Sequence, residues 1–104
     1  MSNTTQQPPP EQIQAYQDQW NATKAMFQAE IDFMIKTVTD KQNEFNSMKT
    51  NPQEWGSMSL QERFNLRNQV TLAQTELQQI LQELNYAKQD FIDDNPQAEH
   101  YVQF

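Results

Sequence analysis

The chain has 104 residues, no Cys, a single Gly and a formal net charge of −7. That length fits one domain at most. It excludes a disulfide frame and thiolate chemistry, and its few scattered Lys and Arg argue against nucleic acid or anionic membrane as a partner. Only 36% of the residues are hydrophobic, against roughly 45–50% in ordinary globular domains, so the expected core is a thin one between a few helices with one apolar stripe each.

Residues 1–10, MSNTTQQPPP, read as a flexible polar tail that ends in a stiff polyproline piece. A Pro-rich ligand is one use for such a piece. Helix entry is another, since the missing N–H of Pro10 is no loss in a first turn. No apolar run follows a basic segment, so no cleaved signal peptide is expected. Apolar runs of two or three residues predict no membrane span. The expected location is the cytoplasm, or outside it by a route without a cleaved signal.

From Glu11 to Lys49 there is neither Pro nor Gly, and apolar residues recur at helical spacing. Ile13, Trp20, Phe27, Met34 and Met48 lie on one heptad position, with Lys41 in the same series. Ile31, Val38 and Phe45 form the second, where Gln17 and Lys24 weaken the N-terminal end. Tyr16, Phe33 and Ile35 widen the apolar face. The spacing predicts one long helix, about 10–50. Lys41 in the seam either snorkels or sets register by meeting a carboxylate.

Residues 51–59 are expected to be the turn. Asn51-Pro52 stops the first helix, because Pro lacks a donor and disfavours helical geometry in the residue before it. Gly56 offers freedom for a positive φ. Trp55 is expected over the loop. Ser59 and Glu62 have capping-box spacing, with the hydroxyl accepting from the backbone three residues on and the carboxylate reaching back.

The second helix, about 60–94, is the clearest feature. Leu66, Val70, Ala73, Leu77, Ile80, Leu84, Ala87 and Phe91 keep the alternating four-three spacing of a heptad seam. Leu72, Leu81 and Tyr86 flank it. Asn95-Pro96 ends it, and residues 95–104 read as a polar tail whose Tyr101, Val102 and Phe104 have the character to dock. Asp93 and Asp94 sit unfavourably beside a helix C-terminus.

The short connection predicts an all-α antiparallel two-helix hairpin, coiled-coil-like. Two single stripes bury little, so completion by self-association or a partner chain is expected. The candidate interface residues are Trp20, Phe27, Ile31, Met34, Val38, Phe45, Leu66, Val70, Leu77, Ile80, Leu84 and Phe91. The candidate turn residues are Asn51, Pro52, Trp55, Gly56, Ser59 and Glu62. The 18 Gln and 9 Asn outnumber the 21 charged residues. A solvated face is the simpler use for them, and amide contacts to another chain are the alternative. Met26, Met34, Met48 and Met58 suggest an adaptable surface, with Met34 and Met48 placed in the seam.

No catalytic, cofactor or metal residues are expected. The single His, His100, lies near Asp93, Asp94 and Glu99, but a terminal tail is the simpler reading of that group than a metal site. One Gly provides no phosphate loop, and a thin hairpin has no cleft in which to converge catalytic groups. The expected partner is protein, either a second copy or a helical client.

Two resemblances point the same way. Asn51-Pro52, then Leu60-Gln61 and RFNLRNQVTLAQ, resemble the helical-hairpin needle and inner-rod subunits of type III secretion systems over residues 27–92. The long first helix, the Trp-Gly in the loop and the chain beyond Pro96 depart from that pattern. The length, Trp55-Gly56 at the turn and Tyr86-Ala-Lys-Gln-Asp90 are similar to the Trp-x-Gly secreted hairpins of type VII systems. The residue between Trp and Gly is absent here, and the Tyr motif falls inside the second helix. Both resemblances imply a small exported hairpin that acts by assembling. The alternatives are a cytosolic coiled-coil chaperone or adaptor that covers a client helix, and a small phage protein.

Overall fold

The computed structural model describes residues 7–104; residues 1–6, and with them most of the expected flexible tail, lie outside the described residues. The chain order is α1 (Pro10–Lys49), α2 (Pro52–Ser57), α3 (Leu60–Asp94) and a 3₁₀ turn (Pro96–His100). The fold is an all-α hairpin whose two long helices pack against each other. Trp20 meets Phe91, Lys41 meets Gln69 and Phe45 meets Arg67. The partner number falls as the α1 number rises, so the helices run antiparallel.

Pro10 belongs to α1 rather than to the tail. It occupies its first turn, and Pro9 accepts from the N–H groups of Gln12 and Ile13 at 3.0 and 3.1 Å. The Cα radius of gyration is 22.2 Å, against roughly 13 Å for a compact domain of this length. The two short extents, 17 and 14 Å, are those of two helices side by side.

Single helices of this length need support along their wet faces, and the glutamines supply it. Side-chain amides bond one turn ahead in Gln14–Asp18 (2.8 Å), Gln28–Asp32 (2.9 Å), Gln42–Asn46 (3.2 Å), Gln61–Asn65 (2.9 Å) and Gln89–Asp93 (3.0 Å). Each such pair stabilises a helix by about 0.2–0.5 kcal/mol. Gln12 and Gln82 do the same to the hydroxyls of Tyr16 and Tyr86. Much of the amide richness is therefore engaged within its own helix.

The connection differs from the expected open turn. Residues 52–57 form a helical turn of their own, α2, capped by Asn51, whose side chain accepts from the N–H of Gln53 and Glu54. Pro52 stands at its start, where no donor is required. Gly56 does not use a positive φ; it lies within α2, and a Cβ there would meet nothing within 4 Å. Ser59 and Glu62 form a reciprocal capping box that starts α3.

The larger departure is at the C-terminus. Residues 95–104 are not merely a polar tail. The 3₁₀ turn reverses the chain so that Ala98 and Val102 become buried and Phe104 packs beside them. Asn95 starts the reversal, its backbone and side-chain N–H groups both donating to the carbonyl of Phe91.

Candidate functional site

The structure places the seam residues in three zones. At the open end, Tyr16, Trp20, Phe91, Ala98 and Val102 form one buried cluster, with Leu84, Ala87 and Phe104 packed against it. Trp20 is 2% exposed. Its ring lies 5.6 Å from that of Phe91 and 4.9 Å from that of Phe104. Its indole N–H is buried without an acceptor, so packing alone holds this side chain. Gln17 donates to the carbonyl of Tyr101 at 3.0 Å, and Lys24 to that of Gln103 at 3.4 Å. The two polar positions that weaken the α1 seam are thus the donors that tie down the returning chain.

In the middle zone, Ile31, Met34, Val70 and Ala73 are buried, while Phe27, Val38, Leu66, Leu77 and Ile80 are only half-buried. One neighbouring helix covers one side of each stripe and no more. Lys41 bridges the helices through the amide of Gln69 at 3.3 Å, and its nearest carboxylate is Glu44 of its own helix at 4.0 Å. The cross-helix partner of this seam lysine is an amide.

At the turn end, Trp55 meets Phe45 edge-on, with ring centroids 5.8 Å apart. The Arg63 guanidinium lies 4.7 Å from the Trp55 ring centre and donates through Nε to the Trp55 carbonyl at 3.1 Å. Lys49 and Arg67 both stand 5.8 Å from the Phe45 ring centre. The turn residues and the last seam aromatic therefore close this end under cations. Arg63 and Arg67 follow no apolar pattern, and only their spacing of four marks them as one face.

Part of what the hairpin leaves uncovered is apolar. Met26 is 71% exposed, Phe33 68% and Leu72 54%. Met26 and Phe33 lie seven residues apart, so they share one shoulder of α1. Ala29, Glu30, Phe33, Met34 and Ile80 line a shallow groove between the helices, and Met26, Phe27, Glu30 and Glu83 continue it. Leu60 and Phe64, exposed at 82% and 61%, form a second patch beside Trp55 and Arg67. Their apolar pairing at i and i+4 was available in the sequence but falls outside the heptad seam.

Among the described residues, no three of His, Asp and Glu are placed to share a metal ion, and no helix is long and apolar enough to cross a membrane. Asp93, Asp94, Glu99 and His100 are all exposed, and Asp93 is held by Gln89. No protein-family model matches the chain, and neither a curated protein nor a solved structure is significantly similar to it.

Proposed function

We propose that this protein is a non-enzymatic helical hairpin that works by helix-helix association, as a small assembling subunit. The observation that carries the proposal is the exposed apolar shoulder formed by Met26 and Phe33 along the groove to Ile80. Isolated exposed apolar residues need no explanation, but a contiguous apolar strip rimmed by charge marks an association surface. The half-buried middle seam adds to it, because a further helix laid in the groove would complete the cover of Phe27 and Ile80.

The resemblance to type III needle and type VII hairpins supports an exported or secretion-apparatus subunit as the setting. A groove of this kind also suits a client helix, which is the chaperone or adaptor alternative. Sedimentation across a wide concentration range tests the proposal. An assembling subunit shows mass rising with concentration, and the rise disappears in Met26→Ser/Phe33→Ser. A chain that stays monomeric throughout overturns the assembly reading and leaves the client-helix alternative.

A further inference from the structure

The two flanks of α3 carry opposite charge. Residues seven apart share a helix face, and one flank holds Glu62, Glu76, Glu83 and Asp90, with no Lys or Arg in that series. The other holds Leu60, Arg67, Leu81 and Lys88, with no Asp or Glu. Contacts fix which side each flank faces. Glu83 shares the groove with Met26, Phe27 and Glu30. Arg67 lies with Trp55, Leu60 and Phe64, and Lys88 lies over the Phe104 ring at 5.4 Å. Within the hairpin, the one ion pair among the described residues is Lys41–Glu44. The acids of the first flank and the cations of the second are therefore not used against each other in one chain.

Resting on the association reading above, we infer that the partner is a second copy of this chain, bound face to back. The acidic, apolar side of one hairpin, with Met26, Phe33, Glu76 and Glu83, docks on the side of the next that carries Leu60, Leu81, Arg67 and Lys88. A two-fold pairing of acidic side on acidic side would place like charges together, which disfavours that arrangement. By seven-residue spacing Glu11, Asp18 and Asp32 share the outer edge of α1 on the basic side; Asp18 and Asp32 are each engaged by a glutamine of their own helix. A face-to-back contact is not self-complementary, so it repeats into a ring or an open filament rather than ending at a dimer.

The test uses two charge-reversed full chains, Glu76→Lys/Glu83→Lys and Arg67→Glu/Lys88→Glu, in low-salt sedimentation. Each alone presents like charge on both sides and is expected to associate roughly tenfold or more weakly than the wild type. Mixed in equal amounts they again present opposite sides to each other, and assembly is expected to return. Added salt should weaken the wild-type assembly. Helix content by circular dichroism confirms folding, and Arg67→Gln/Lys88→Gln, which removes charge without reversing it, repeats the loss should the reversed chain fail to fold. If the wild type assembles and the separate reversed variants assemble equally well, or the mixture does not recover, the face-to-back pairing is overturned while the association reading stands. If the wild type never assembles, both fall. A fixed dimer unaffected by salt would also contradict the inference.

Discussion

Trp20, about a quarter of the way along α1 from its start, and Phe104, near the C-terminal end of the chain, pack ring against ring in a tilted arrangement with centroids 4.9 Å apart. That contact makes the returning C-terminal segment part of the core. Between them, the 3₁₀ turn buries Ala98 completely and Val102 nearly so. The open end of the hairpin, where two helices would otherwise splay, is thereby closed on a third side.

Removing residues 96–104 should therefore expose Trp20. The expected result is a red shift of indole emission and a lower melting temperature with the rest of the hairpin still helical. Trp20→Ala should cost about 3–5 kcal/mol in denaturant unfolding, as large-to-small core changes do. Trp20→Phe should cost much less than Trp20→Ala, because it keeps an aromatic ring and removes the buried N–H that lacks an acceptor. Equal losses for the two would show that ring packing is not what matters there.

At the turn, Arg63 both donates to the Trp55 carbonyl and covers its ring. Arg63→Ala should destabilise by about 1–2 kcal/mol, combining a charged hydrogen bond with a partly exposed cation–π contact. Arg63→Lys keeps the charge but loses the forked geometry, so it should recover only part of that loss. Urea titrations of the three proteins measure this directly.

The capping box gives a smaller effect. Ser59 accepts from the Glu62 N–H at 3.1 Å. Ser59→Ala should lower stability by about 1 kcal/mol, while Ser59→Asp should hold near the wild type.

The seam itself is tested by Leu77→Asp with Leu84→Asp. Both positions are half-buried between the helices, and unpaired charge there is costly. Loss of most helical signal at room temperature is the expected outcome. Retained helix with unchanged melting would contradict the seam assignment.

The heptad spacing on both helices made the hairpin legible, because an apolar stripe of that period has nowhere else to go. The helix ends were legible for local reasons: Pro10 suits a first turn, and Asn51, Ser59 and Asn95 each suit a boundary. The structure of the loop was less so. Asn51-Pro52 stops one helix and equally well caps the next, and sequence alone does not choose between a stop and a short α2. The apolar character of Tyr101, Val102 and Phe104 made docking of the C-terminus legible, but AEHYVQF has no period that says where it docks. Gln17 and Lys24 are legible only as a weak end of the seam; the structure makes them donors to the returning chain. The shoulders are visible in the sequence as off-seam Phe33 and Met26, but Leu60 and Phe64 belong to no seam and carry no signal of a patch. The opposed charges of the α3 flanks needed the contacts of Glu83 and Arg67 to acquire sides.

The most direct test of the central claim is equilibrium sedimentation of the wild type beside Met26→Ser/Phe33→Ser, from dilute to concentrated solution. The association account predicts a wild-type mass that climbs above 12.3 kDa with concentration, and a variant that remains monomeric with unchanged helix content. A wild type that stays at the monomer mass throughout, or a variant that assembles just as the wild type does, would contradict it.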